Sequence, residues 1–132
     1  MSLAETFEDI VLDQILGTTE MTFDSTLYLA LGSDDAVDKS TFTEITTAGT
    51  NGYARQAITF TDASGGQASN DAQIVFGPCA TVGWGTVKSW AIYDAATAGN
   101  RRQQNVLSDQ TKVVGVGDSY TFEIGTVVVS AV

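Results

Sequence analysis

Residues 51–60 have the sequence NGYARQAITF, and residues 84–94 have the sequence WGTVKSWAIYD. The stretch between Asn51 and Asp94 decides the fold, because it contains both tryptophans, the only proline, the only cysteine and most of the turn signals. Asn-Gly and Gly-Gly steps of this kind mark tight turns. The stretch therefore predicts three β-strands joined by glycine-rich loops.

The first of these strands is predicted at residues 53–61, where side chains alternate between two faces. The set expected to point inward is Ala54, Gln56, Ile58 and Phe60. Tyr53 and Arg55 would then lie on the outer face as a candidate recognition pair. The favoured alternative is that Arg55 only pairs with an acidic residue across the strand.

Both tryptophans lie in or beside the predicted strand at 86–94. Gly83 and Gly85 flank Trp84, which lets the backbone bend sharply around a large ring. Large apolar side chains such as Trp90 occur on both faces of the strand, which is typical of a central strand or of one with a face in an interface. A carbohydrate-stacking platform is the less favoured interpretation, because aromatic residues on strands usually belong to the core.

A third strand of the stretch 51–94 is predicted at 72–76, and further strands are predicted along the rest of the chain at 26–31, 42–46, 106–107, 112–116, 120–124 and 126–130. Short strands at intervals of about 8–12 residues are typical of a sandwich or barrel. We therefore predict a mainly β fold, an antiparallel β-sandwich or barrel of about eight short strands with one N-terminal α-helix. The predicted division is a helical arm at 1–17 and a single β-sandwich domain at 18–132.

The N-terminal helix is predicted from Ser2 to Leu16, with Ser2 and Glu5 as a capping box and Gly17 as its end. Its apolar positions at helical spacing are Leu3, Phe7, Ile10, Val11 and Ile15. The favoured interpretation is a helix that packs over an open end of the sheet, because most amphipathic helices bury their stripe within the same chain. The alternative is a docking arm that presents Phe7, Ile10 and Val11 to a partner.

Composition excludes several classes of function. The formal net charge of −10 repels phosphate backbones, so nucleic-acid binding is not expected. No apolar run approaches about 18 residues, so no membrane span is expected. The acidic N-terminal residues disfavour a signal peptide, which predicts synthesis and retention in a cytoplasm.

Catalytic groups are scarce in this sequence. Histidine is absent, which removes the commonest general base and metal ligand, and the single Cys79 permits no internal disulfide. The carboxylates are scattered mostly over predicted loops and the helix, where they usually serve solvation. We therefore expect neither enzymatic activity nor a cofactor.

Two charged segments remain. The loop at 32–39 contains Asp34, Asp35 and Asp38, but it lacks the ligand order of a calcium-binding loop, so a solvated acidic loop is favoured over a Ca²⁺ site. Arg101 and Arg102 form the only basic pair. In so acidic a chain, such a pair most often provides local charge balance.

The order of several segments resembles a known family. After the helix, these segments are 26–31, 51–56, 70–76, 84–87, 91–95 with Gly99-Asn100, and Gly117-Asp118. Together they resemble a family of small tailed-bacteriophage virion structural proteins, often labelled tail fibre proteins and similar to capsid cement (decoration) proteins. The resemblance covers nearly the whole chain and is most specific at 52–55, 84–87 and 91–94. Residues 101–104 differ from what the family usually has at that place.

The resemblance implies two alternative roles. As a cement protein on the capsid exterior, the chain would form a homotrimer, bind the major capsid protein and bridge neighbouring subunits through several weak contacts. As a tail-fibre component, it would be a small adaptor or tip for host attachment, because it has no heptads or repeats to build a stalk. The cement role is the favoured one. Candidate interface residues are Phe7, Ile10, Val11, Tyr53, Arg55, Trp84, Trp90, Arg101 and Arg102.

Overall fold

The computed structural model of the chain describes residues 2–18, 26–35, 41–45, 51–107 and 111–130. Within them the chain forms one helix and eleven short strands, which confirms the predicted mainly β, antiparallel class. The helix is α1 (Glu5–Leu16). The strands are β1 (Ser2–Leu3), β2 (Leu27–Gly32), β3 (Gln56–Ile58), β4 (Gln67–Ser69), β5 (Ile74–Phe76), β6 (Gly85–Val87), β7 (Ser89–Tyr93), β8 (Arg101–Val106), β9 (Lys112–Val114), β10 (Tyr120–Phe122) and β11 (Val128–Ser130).

A five-stranded antiparallel sheet with the order β1-β8-β7-β2-β3 forms the centre of the fold. Its middle strand β7 pairs with β2 and places Trp90 opposite Leu31. Ala30 and Ala91, which are also opposite one another, are fully buried. Both faces of the middle strands are therefore covered, as the apolar pattern of residues 86–94 predicts.

Three two-stranded antiparallel sheets complete the described fold, formed by β5 with β10, β4 with β11, and β6 with β9. Their inward side chains join one apolar core with those of the large sheet. Aromatic rings contact one another in this core: Phe76 lies edge-on to Phe122 with centroids 6.1 Å apart, and Phe122 packs against Tyr120 at 5.0 Å. Strand β4 lies in the predicted loop at 62–70, whose polar residues gave no strand signal.

The predicted strand at 86–94 is two strands that belong to different sheets. β6 pairs with β9, whereas β7 pairs with β2 and β8. The change occurs at Lys88, whose N–H donates to Gly32 and whose carbonyl accepts from Leu107. Periodicity does not reveal this change, because both halves alternate with the same period of two.

Strand β8 corrects a second prediction, since only residues 106–107 were expected to form a strand here. Residues 101–106 have the sequence RRQQNV, which carries no hydrophobic alternation. They form a strand because β1 and β7 pair with them on both sides, with a bulge between Ile92 and Tyr93. Backbone pairing thus overrides side-chain preference in this strand.

The helix starts later than predicted. Ser2 belongs to β1, so the predicted capping box is wrong, and Ala4 takes the N-cap position without a side-chain hydrogen bond. The predicted end is confirmed: Gly17 adopts φ 73° and its N–H donates to Gln14 at 3.3 Å. Glycine adopts this left-handed conformation at low cost, so the helix ends there.

The alternation predicted from Tyr53 holds only from Gln56 onward, where β3 begins. Residues 51–55 are irregular, and Tyr53 is buried rather than on the outer face. The cause is the predicted turn at Gly52, which has φ 79° and whose missing Cβ leaves room for the carbonyl oxygen of Pro78. The predicted strand at 42–46 is confirmed in part, by a bridge between Glu44 and Gly32; residues 46–50 lie outside the described residues.

Candidate functional site

The N-terminal end of α1 is fixed to the large sheet. β1 pairs with β8, and the N–H of Ala4 donates to the carbonyl oxygen of Arg102 at 2.9 Å. Ala4 is only 2% exposed. The helix therefore leaves the sheet from a defined position.

Arg102 supports the first turns of the helix. Its guanidinium lies 4.8 Å from the centre of the Phe7 ring, within cation–π range. The same group lies 3.2 Å from Asp94 Oδ2, and the side chains of Arg102 and Asp94 are 14% and 13% exposed. This ion pair balances the charge of Arg102 locally, and with the Phe7 contact it joins the helix, β8 and the loop after β7. The guanidinium carbon of Arg101 lies 5.9 Å from the centre of the Phe42 ring. A role for Arg101 or Arg102 in a partner interface stays a prediction.

The other end of the helix exposes large apolar side chains. Leu12 is 55% exposed, Ile15 73% and Leu16 71%. Their spacing of three and four residues places them on one face. We call these three residues the apolar helix end.

Acidic residues lie next to the apolar helix end. At about 100° per residue, Glu5, Glu8 and Asp9 fall on the same side of the helix as Leu12 and Leu16, but in the earlier turns. The helix sequence ETFEDIVLDQIL contains no basic residue. The exposed side of α1 is thus acidic first and apolar at its end.

The predicted helical stripe is only partly packed against the fold. Phe7 and Val11 are partly buried, as a packed helix requires, whereas Ile10 is 38% exposed. Packing within the chain therefore accounts for the apolar residues Phe7 and Val11. The C-terminal end of the helix has the exposure expected of a docking arm.

Sequence reasoning missed Leu12 and Leu16. A signal was present, because six of the twelve helical residues are apolar and they spread over about two thirds of the circumference. A single packed face accounts for a much narrower stripe, on the order of 100°. The excess apolar residues indicate a second face that one sheet does not cover.

Arg55 lies in a cluster around Glu44. Its Nε and Nη2 donate to the two carboxylate oxygens of Glu44 at 2.9 and 2.8 Å. The Tyr53 hydroxyl donates to Glu44 Oε1 at 2.6 Å and accepts from the N–H of Leu31 at 3.1 Å. The favoured interpretation, that Arg55 pairs with an acid, is confirmed, whereas the outer-face position of Tyr53 is wrong because its ring is 6% exposed.

Arg55 also holds the loop that follows β7. Its Nη1 donates to the carbonyl oxygens of Ala95 and Ala98 at 2.9 and 2.6 Å. Its guanidinium lies 3.6 Å from the centre of the Tyr93 ring. Every described contact of this guanidinium serves the fold, and a role for Tyr53 or Arg55 in a partner interface stays a prediction.

Three tyrosines have raised pKa values. Burial raises the pKa of the Tyr53 hydroxyl well above its ordinary value, and the hydrogen bond to Glu44 and the charge of that carboxylate raise it further. Burial likewise raises the pKa of Tyr93 and brings that of Tyr120 to about 12. Each side chain therefore resists losing its proton while the chain is folded.

We expect the free energy of unfolding to fall as the pH rises above about 10. Unfolded tyrosines lose their protons there, whereas the folded chain retains those of Tyr53 and Tyr120, so alkaline pH favours the unfolded state. Each such tyrosine contributes a slope of about 1.4 kcal/mol per pH unit until its folded pKa is reached. Urea unfolding between about pH 8 and about pH 11 measures this slope. Tyr53→Phe should reduce the slope by the contribution of one tyrosine. Equal slopes for the two proteins would contradict the assignment to Tyr53.

Both tryptophans belong to the core, as predicted. Trp84 is 7% and Trp90 3% exposed, so neither forms an exposed platform for sugar stacking. The Trp84 ring lies edge-on to Tyr53, with centroids 5.6 Å apart, and its Nε1 donates to the carbonyl oxygen of Asn51 at 2.8 Å. Two of the three stretches that carry the resemblance most specifically, 52–55 and 84–87, thus pack against one another. A tryptophan contact between subunits stays a prediction.

The acidic loop is held by hydrogen bonds where it is described. Asp34 accepts from the N–H of Thr43 at 2.9 Å and from the hydroxyl of Ser89 at 3.3 Å. Asp38, the third predicted carboxylate, lies outside the described residues. In the described part of the chain, no three potential metal ligands among Cys, Asp and Glu come together. No helix in that part has the length and apolar character needed to cross a membrane.

Comparison with known proteins gives the class of the chain. A search of the curated proteins finds no match. The family of podophage GP4 fiber I protein gp80 matches residues 2–130. This confirms the expected bacteriophage structural class and does not confirm the cement role. Since the match spans nearly all of the 132 residues, the chain belongs to the podophage GP4 fiber I protein gp80 family.

Proposed function

We propose that the protein is a structural subunit of a podophage fibre, held in the virion by protein–protein contacts and without catalytic activity. The observation that carries this proposal is the family match over residues 2–130, because the description of the family names a fibre protein. The tail-associated alternative is thereby favoured over a cement protein on the capsid exterior.

The construction of the fold supports a role as a rigid connector. Both tryptophans lie in one core with Tyr53, Phe76, Tyr120 and Phe122, and Arg55 and Arg102 hold the loop after β7 in place. Such a body presents its surface without rearrangement, which lowers the entropy lost on assembly. With no heptads or repeats in its sequence, the chain suits an adaptor or tip better than a long stalk.

The chemistry of the chain supports a role without catalysis. The only cysteine, Cys79, is 2% exposed and its thiol lies 3.1 Å from the carbonyl oxygen of Val82. Buried thiols of this kind are usually inert. The sequence contains no histidine. Binding is therefore the activity that the described side chains fit best.

A homotrimer is part of the proposal, as in the expectation from the resemblance. Sedimentation of the purified chain tests it, with the mass of three chains as the expected result. A mass that stays at 13.9 kDa over a wide range of concentrations would contradict self-association of the free chain.

The position of the chain in the virion tests the function. We expect gold-labelled antibodies against the purified domain to mark the tail-proximal fibres of intact virions and to leave the capsid faces unmarked. Virions from a phage with the gene deleted serve as the control and should carry no label. Label spread evenly over the capsid would overturn the fibre role and support the cement role instead.

A further inference from the structure

We propose that the apolar helix end, Leu12, Ile15 and Leu16, inserts into an apolar groove rimmed by lysine or arginine on a different virion protein. This inference rests on the proposed function and names the partner surface of the same site. It starts from exposure, because the three side chains are 55% to 73% exposed although the N-terminal end of the helix is held to the sheet.

The negative charge of α1 indicates that the rim of the groove is basic. Glu5 and Asp9 are exposed and Glu8 is half-buried, on the same side of the helix as Leu12 and Leu16 but in earlier turns, and the helix carries no basic residue. An apolar surface bordered by acidic residues is complemented by a surface whose rim is basic. An anionic membrane would repel this helix for the same reason.

A second copy of the chain is a poor occupant. Two helices of this kind would bring their acidic residues together, and the chain contains only six basic residues against sixteen acidic ones. Two of those basic residues, Arg55 and Arg102, already pair with Glu44 and Asp94. The charge balance of the chain therefore favours a partner of different composition.

The size of the patch favours a groove over a flat surface. Three exposed aliphatic side chains amount to a few hundred Å² at most, below the roughly 800 Å² per partner of a self-sufficient interface. A helix that enters a groove buries such anchors on several sides, which is how short helices with spaced apolar residues bind. The helix end would then be one contact among several in an assembled virion.

Because the helix is already formed and its first turn is held to the sheet, little conformational entropy is lost on binding. Arg102 stacks on Phe7 and the N–H of Ala4 donates to β8, so the first turn of the helix is held to the sheet before binding. A pre-ordered element loses less conformational freedom on binding than one that must fold. The contact therefore does not depend on folding of the helix at the partner.

The test uses purified full-length chain and virions produced without its gene. Wild-type chain should bind these virions, whereas Leu12→Ser/Leu16→Ser should bind about a hundredfold more weakly, at about tenfold for each leucine. Val113→Ser/Val116→Ser is the matched control, because these valines are also exposed, at 68% and 63%, but lie in and beside β9. This control should bind as the wild type does, and both variants should keep the wild-type melting temperature.

The salt dependence of binding tests whether the rim of the groove is basic. Binding of the wild type should weaken as the salt concentration rises from about 50 mM to about 500 mM, since the charges at the rim are screened. Binding that strengthens or stays constant over this range would overturn the basic rim.

The other outcomes also distinguish the possible occupants. If the leucine variant binds virions as tightly as the wild type, the inference fails while the fibre role stands; if the wild type itself does not bind, the fibre role fails. Self-association of the wild type that is lost in the leucine variant would assign the patch to a second copy. Leucine-dependent binding to phosphatidylcholine vesicles would assign it to a lipid surface. Either result would overturn the proposed partner.

Discussion

Trp84→Ala is expected to lower the free energy of unfolding by about 4 kcal/mol. The indole is 7% exposed and contacts Tyr53 edge-on, so its loss leaves a cavity at the meeting point of residues 51–55 and β6. This region cannot collapse easily, because Gly52 lies against the carbonyl oxygen of Pro78. Urea unfolding of the two proteins measures the difference.

Trp84→Phe separates the ring from its hydrogen bond. The indole N–H donates to the carbonyl oxygen of Asn51, which also accepts from the N–H of Ala80 at 2.9 Å. The carbonyl therefore keeps a partner in the phenylalanine variant, and the expected loss is only about 1–2 kcal/mol. Val113→Ala, at a side chain 68% exposed, should change stability by less than about 0.5 kcal/mol. A loss below about 1 kcal/mol for Trp84→Ala would show that this ring does not hold the two segments together.

Positions with strong local causes could be predicted from the sequence. Gly17 ends the helix and Gly52 forms a turn because each needs positive φ, which the sequence signals directly. The middle strands β2 and β7 were predicted because they are buried on both faces and consist of apolar runs. In these cases the cause of the structure lies within a few residues of the position itself.

Positions decided by distant partners could not be predicted. β8 is polar and forms a strand because β1 and β7 flank it. The turn at Gly52 allows Tyr53 to point inward, and its buried position is fixed by hydrogen bonds of its hydroxyl to Glu44 and Leu31, which lie 9 and 22 residues away in the chain. Leu12 and Leu16 were missed for a related reason, since helical spacing alone does not say which of several apolar faces the sheet covers. A role for Phe7, Ile10 or Val11 in a partner interface stays a prediction.

Arg55→Ala is expected to destabilise the chain by about 3 kcal/mol. The arginine side chain is 8% exposed and that of Glu44 25%, so removing the guanidinium leaves a mostly buried carboxylate without its counter-ion. Because Glu44 retains some access to water, we place the loss at the lower end of the range for broken buried ion pairs. The carbonyl oxygens of Ala95 and Ala98 lose the same donor, so amide exchange in residues 94–100 should accelerate.

Two further variants distinguish the ion pair from the shape of the guanidinium. Arg55→Lys keeps the positive charge but cannot donate to Glu44 through two nitrogens while also reaching Ala95, so about half of the loss should remain. In Arg55→Ala/Glu44→Gln the uncompensated charge is absent, so the double variant should be less destabilised than the sum of the single changes. Strict additivity would show that Glu44 and Arg55 stabilise the fold independently. Non-additivity combined with faster exchange at 94–100 would instead identify this arginine as the group that joins residues 41–45, residues 51–55 and the loop after β7 in one rigid body.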